Sequence, residues 1–231
     1  MNMELEHRFA EYGPDVIREA LTPFVSPERQ ARIEQILDQR LRSLTVVIEN
    51  LYDGHNGAAA IRSIEAVGIQ TLHAIEEASP FKIGKGVTIG CEQWVTIEKH
   101  KTTDECIGQL KDNGFILTAT VPDADMALDD LDGSVQRALI FGNEHEGLTD
   151  RAIGLCDELV RIPMHGFTQS FNLSVSVALT VTRASAARRA ALGRAGDLEV
   201  EQKRQLRARW YANSVRGAGG IIDRYVAGQT Q

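Results

Sequence analysis

Between residues 44 and 162 the chain repeats one pattern, a short run rich in β-branched and other apolar residues followed by a segment with helical spacing. The strand-like runs are Leu44–Glu49, Thr71–Ile75, Trp94–Ile97, Phe115–Thr120, Ala138–Phe141 and a shorter one at Leu159–Ile162. The helical segments lie near Ala58–Val67, Thr103–Asn113 and Thr149–Cys156. Gly68 stands where the first would end, and Thr103 and Thr149 stand where the others would be capped. Strands that alternate with helices pair in parallel, because each crossover returns the chain to the same end of the sheet. The pattern therefore predicts an α/β domain with a mostly parallel sheet flanked by helices.

Three zones follow. Residues 1–43 read as an N-terminal helical extension, with Pro14 suited to a first helical position and Ser26-Pro27-Glu28 forming an N-cap and helix start. Ile33, Ile36, Leu37 and Leu41 continue it as an apolar stripe. Residues 44–182 form the α/β domain, and residues 183–231 a basic helical tail that loosens at Gly217-Ala218-Gly219-Gly220. The 43% apolar and 25% charged content excludes a disordered or collagen-like chain. No apolar run is long enough to span a bilayer, and the acidic N-terminus has no apolar leader core, so no membrane partner and a cytoplasmic location are expected. Cys91, Cys106 and Cys156 form no CxxC pair and suit reduced core thiols.

The net charge of -7 disfavours a polyanion partner, but the charge is unevenly distributed. Residues 183–216 carry nine Lys/Arg against three Asp/Glu, and residues 50–182 carry nine against nineteen. A basic segment beside an acidic body is one footprint of nucleic-acid binding; a solvated helix face is the other reading.

Three polar, glycine-punctuated loops follow strands: Asp53–Gly57, Gly142–Leu148 and Pro163–Asn172. In a parallel sheet, ligands bind beyond the carboxyl ends of the strands, so these loops predict a site for a nucleotide-like ligand. Gly142-x-Glu144-x-x-Gly147 is half a dinucleotide fingerprint, and without the full GxGxxG it disfavours a nicotinamide oxidoreductase. His55 and His165 lie far apart without supporting Cys or Asp pairs, so no metal site is expected. Ser170 lacks a nucleophile elbow. What remains is Asn56, Arg62, Glu144, Ser170 and Asn172, groups suited to anchoring phosphate and ribose hydroxyls. The segment 173–181 alternates like a strand, yet its small residues and the alanines after it favour helix. Periodicity leaves both open.

Residues His55–Gly68 resemble motif 1 of the SPOUT-superfamily RNA 2'-O-ribose methyltransferases, Leu139–Leu148 resemble motif 2, and Ile162–Ala178 resemble motif 3. The His-Asn opening of motif 1, the Ile-Pro-Met start of motif 3 and Trp94-Val95-Thr96 bring the chain nearest the TrmH branch, the tRNA guanosine-18 2'-O-methyltransferases. The resemblance implies a trefoil knot over about residues 138–182, a helix after Asn172, and a homodimer with its site near the subunit interface. It implies S-adenosylmethionine as cofactor, held by Thr120, Gly142, Asn143, Gly147, Ile162, Met164, Phe171 and Leu173. It makes Arg62 the catalytic residue, assisted by Asn56, Glu144, Ser170 and Asn172. A tRNA partner would be held by the basic tail Arg183–Arg216 and the N-terminal helices, with Arg183, Arg188 and Arg189 as RNA-binding residues. Phe171 stands where the family commonly has leucine. Two alternatives stay open: ribosomal RNA as the target, which the short segment before the first strand disfavours, and a non-catalytic RNA-binding protein on the same fold.

Overall fold

The structure is a computed structural model and describes residues 3–83, 88 and 90–229. Residues 41–197 form one compact unit; residues 1–40 and 198–231 together form a second. The outermost residues of both expected terminal extensions, 1, 2, 230 and 231, lie outside the described residues.

In the larger unit, β1 (Leu44–Glu49), β2 (Thr71–Ile75), β3 (Thr96–His100), β4 (Ile116–Thr120), β5 (Met126–Ala127), β6 (Arg137–Phe141) and β7 (Glu158–Arg161) make a sheet in the order β3-β2-β1-β6-β4-β7-β5. Every pairing between these strands is parallel. β1 is an inner strand, next to the central β6, and buried at all six positions, as a strand covered on both faces must be. The register sets Ile48 beside Phe141, Ala119 beside Ile140 and Thr120 beside Val160. The carboxyl ends of β1, β6, β4 and β7 therefore open on one edge. Arg137, buried at the start of β6, donates to Thr118 of β4 and Glu158 of β7 and ties these three strands together.

The helices of this unit are α3 (Gly54–Ala66), α4 (Thr103–Asp112), α5 (Asp150–Leu155) and α6 (Leu173–Leu192). Thr149 caps α5 by accepting from Ala152 N, whereas the cap of α4 is Thr102, one residue before the expected Thr103. Two strand expectations shift. Cys91–Trp94 is a 3-10 turn, so β3 begins at Thr96 and runs into Glu98-Lys99-His100. Being the edge strand, it tolerates charge that masks it in the sequence. The two-residue β5 is too short to leave a periodic signal.

The ambiguous segment is helical. Asn172 caps α6 by accepting from Ser174 N, and Gly193 ends it in the left-handed region (φ 63°). Leu173, Val177, Val181 and Ala184 form its buried stripe against the core, so the period that matters is three to four. The expected domain boundary at residue 182 falls inside this helix. The unit instead closes at Asp197, whose carboxylate accepts from Arg42 N (2.7 Å) and from the Ser43 hydroxyl.

The smaller unit comprises α1 (Met3–Leu21), α2 (Pro27–Leu37), α7 (Val200–Ser214) and α8 (Ala218–Gln229). Gly13 (φ 76°) interrupts α1, so Pro14 opens the helical turns that follow it, and Ser26 caps α2 by accepting from Arg29 N. The expected loosening at Gly217–Gly220 is corrected: after Gly217 (φ 72°), α8 begins at once. A Cβ on Gly219 would sit 3.1 Å from the guanidinium carbon of Arg8, which is bound to Asp223 at 2.7–2.8 Å, so a larger residue there would push on that ion pair.

Candidate active site

The first loop leaves β1 through Asn50, in the left-handed region (φ 51°), and enters α3, where Asp53 accepts from His55 N at 2.8 Å. A Cβ on Gly57, in the first turn of α3, would overlap a terminal methyl of the buried Leu51, so a larger residue there would have to displace that side chain. That turn carries Asn56.

The second loop follows β6. Asn143 and Gly147 exchange backbone hydrogen bonds, both 3.1 Å, and Asn143 Oδ1 accepts from the N–H groups of His145 (2.9 Å) and Glu146 (2.8 Å). Gly147 takes φ 72°, and a Cβ on Gly142 would overlap the Gly147 carbonyl carbon. Both glycines are therefore demanded by geometry. The closed turn presents Glu144, whose carboxylate accepts from Asn56 Nδ2 (2.9 Å), Asp53 N (3.3 Å) and Tyr52 N (3.2 Å).

The third loop runs from β7 to α6 and ends at Asn172. Its Oδ1 accepts from Ser174 N and Oγ, which leaves its Nδ2 to donate to Asn56 Oδ1 at 3.0 Å. Glu144, Asn56, Asn172 and Ser174 thus form one hydrogen-bonded chain linking the three loops. Its donors and acceptors fix both amide orientations.

Beside this chain lies a cavity of about 490 Å³, within the range of small-ligand sites. Thr120, Gly142, Asn143, Gly147, Ile162, Met164, Phe171 and Leu173 all line it, together with Glu144, Ser170 and Asn172. One side is apolar and the other presents loop backbone. Thr120 Oγ1 is buried in the wall without a hydrogen-bond partner among the described residues, a polar atom left over for a ligand. Val121, Pro122, Leu148 and Ser176 also contribute to the lining. Pro122 directly after β4 is the one signal in the sequence that marks that loop. The backbone donors Tyr52 and Asp53, which seat Glu144, leave no such signal.

Arg62 stands apart. It is exposed on α3, does not line the cavity, and makes no hydrogen bond or ion pair among the described residues. Its charge pulls down on the Cys91 thiol, but burial and the neighbouring Glu65 and Glu92 prevail and hold that thiol above its ordinary pKa.

The three arginines expected to meet RNA are turned to other work. Arg188 donates to the carbonyls of Gly133 (3.0 Å) and Ser134 (2.6 Å) and to Ser43 Oγ (2.7 Å). Arg189 donates to the carbonyls of Val67 and Ala195, both at 2.7 Å. Arg183 pairs with Asp129 at 2.9 Å. The guanidinium groups of Arg188 and Arg189 fasten α6 to the loops it crosses. In the smaller unit the basic run of α7 is neutralised in the same way: Lys203 pairs with Asp38, Arg204 with Asp15 and Glu201, Arg207 with Glu34, and Arg209 with Glu6.

Residues 43–182 match the SpoU rRNA Methylase family. The chain is 36% identical over 162 residues, 70% of this chain and 74% of the relative, to a Borreliella burgdorferi protein named tRNA (guanosine(18)-2'-O)-methyltransferase. The crystal structure of the A. aeolicus TrmH/SpoU tRNA modifying enzyme superposes with a TM-score of 0.74 at 28% identity, covering 82% of this chain and 98% of that one. The fold is also that of the SpoU methyltransferase AviRb from Streptomyces viridochromogenes in complex with AdoMet (TM-score 0.59, 23% identity, 66% and 62% coverage). With the family match spanning most of the sheet and all three loops, this chain belongs to the SpoU rRNA Methylase family.

Proposed function

We propose that the chain is an S-adenosylmethionine-dependent tRNA methyltransferase that methylates the ribose 2'-hydroxyl of guanosine 18. The observation that carries this reading is the hydrogen-bonded chain Glu144–Asn56–Asn172 at the mouth of the cavity, which locks the loops after β1, β6 and β7 into one wall. The trefoil threading of residues 138–182 belongs to the same reading.

The cavity fits the cofactor. Its volume is adequate, Leu148, Ile162, Phe171 and Leu173 offer apolar surface to an adenine ring, and Thr120 Oγ1 and the loop backbone offer polar partners. When bound there, the sulfonium supplies an already activated methyl group. The protein's task is to hold the ribose hydroxyl in line and assist loss of its proton. Asn56 and Glu144 hold the loop wall in place, and Ser170 and Asn172 present hydroxyl and amide groups at its rim. The Arg62 guanidinium fixes a substrate phosphate in a bidentate grip and stabilises the developing alkoxide. It does not itself act as the base.

Arg62 reaches that position from a second copy of the chain. Phe171, in the loop just before α6, and Val175 and Leu179, one turn apart in its first half, are each about two-fifths exposed and give an apolar surface beside the cavity. A homodimer that covers this surface brings the free guanidinium of one subunit to the cavity of the other.

The test is transfer of labelled methyl from S-adenosylmethionine to an unmodified tRNA transcript, followed by digestion to nucleosides. Label in 2'-O-methylguanosine is expected; label in a base, or none, overturns the reading. Arg62→Ala and Asn172→Ala proteins, each inactive alone, should regain partial activity when mixed and refolded together. A mixture as inactive as its parts would rule out the shared site.

A further inference from the structure

At the edge of the sheet remote from the cavity, side chains from three elements converge. His73 on β2 is the register partner of Glu98 on the edge strand β3, and His100 lies two residues beyond Glu98, so all three share one face of the sheet. The helix that follows, α4, packs on that face and buries Cys106 there. His73 Nδ1 lies 3.0 Å from His100 Nε2 and 3.5 Å from Glu98 Oε2. The Cys106 sulfur and one nitrogen of each ring all lie within 4.8 Å of one another.

We propose that His73, His100 and Cys106 hold a zinc ion that staples the edge strand β3 to β2 and α4, with Glu98, 3.5 Å from His73, turning in from the rim as the fourth ligand. Two nitrogen or oxygen ligands on one zinc ion stand about 3.3 Å apart, and nitrogen and sulfur about 3.6 Å apart. The observed 3.0 and 3.5 Å bracket the first value, and the thiol needs to approach by no more than about an ångström. His73, His100 and Cys106 are 5%, 4% and 0% exposed, so polar ligands are gathered where apolar side chains would pack at less desolvation cost. Glu98, at the exposed rim, gives the ion its way in and is steadied by Gln109 Nε2 of α4 at 3.3 Å. Burial keeps His73 neutral, with a pKa near 4, the form in which an imidazole binds metal. Burial, with the nearby Glu98, Glu105 and Glu49, pushes the Cys106 thiol up to about 12. The ion itself would release that proton on binding. Because the ligands are spread over β2, β3 and α4, the linear sequence shows no metal spacing.

The test is titration of cobalt(II), zinc's spectroscopic stand-in, into the full-length protein after chelator treatment. One equivalent should bind, giving a thiolate-to-cobalt charge-transfer band and the intense visible bands of a four-coordinate ion, both abolished by added zinc. Cys106→Ser should lose the charge-transfer band, whereas Cys91→Ser and Cys156→Ser keep it. Glu98→Gln should bind at least about tenfold more weakly, with methyl transfer unchanged because the cavity lies beyond β1. No saturable absorbance in the unmodified chain, or a band that survives Cys106→Ser, overturns the site. The unmodified chain decides the first point even if a variant fails to fold.

Discussion

Asn56 Nδ2 donates to Glu144 Oε1 at 2.9 Å across 88 residues of sequence, and this bond joins the loop after β1 to the loop after β6. With the Asn56 amide so turned, its oxygen is left to Asn172 at 3.0 Å. One side chain therefore sets the relative position of all three loops.

Asn56→Ala removes both bonds and leaves the Glu144 carboxylate with backbone partners only. Stability should fall by about 1–2 kcal/mol. Methyl transfer should fall by much more than calorimetric affinity for S-adenosylmethionine, since most of the cavity lining is untouched. Equal losses in both would place Asn56 in cofactor binding instead.

Gly142→Ala sets a Cβ into the Gly147 carbonyl, and neither backbone can yield without opening the turn that carries Glu144. A cost of about 3 kcal/mol is expected, with S-adenosylmethionine affinity lowered at least about tenfold. Near-normal affinity by calorimetry would show that the turn does not shape the cavity.

The three loops were legible because their chemistry is local. Gly142, Gly147 and Asn143 meet needs set within a few residues, so the pattern survives in one dimension. The charge of α7 was not. Its arginines read as a polyanion footprint, yet their partners Glu6, Asp15 and Glu34 lie more than 170 positions away, and only the packing of α1 and α2 on α7 reveals the pairing. The carbonyl partners of Arg188 and Arg189 are hidden for a similar reason: a helix surface facing loop carbonyls carries the same residues as one facing phosphate. Arg62 is legible as a helix residue of α3, but that it stays outside the cavity of its own chain follows only from how α3 packs, which the linear pattern does not show.

Arg188→Ala should lower the thermal midpoint by several degrees, matching about 1–2 kcal/mol from lost charge-assisted bonds to Gly133, Ser134 and Ser43. The slope of tRNA affinity against salt should not change. A slope reduced by about one counterion would return Arg188 to the RNA surface.

The acid limb of stability should report the ion pairs of the smaller unit. The hydrogen bond from Arg204 holds Asp15 below its ordinary pKa, and that from Arg8 does the same for Asp223. A depressed folded-state pKa stabilises above the unfolded value and is lost as pH falls through the folded one. Thermal stability should therefore begin to drop below about pH 4. Asp15→Asn should be less stable at pH 7 and fall less steeply in acid. An unchanged slope would mean that this pair does not contribute to the acid transition.

The most direct measurement is a map of 2'-O-methyl groups in total RNA from cells lacking this gene, taken before and after incubation with the purified protein and S-adenosylmethionine. The account predicts a new mark on guanosine 18 of tRNA, absent when Arg62→Ala is used. New marks confined to ribosomal RNA, or none, would contradict it.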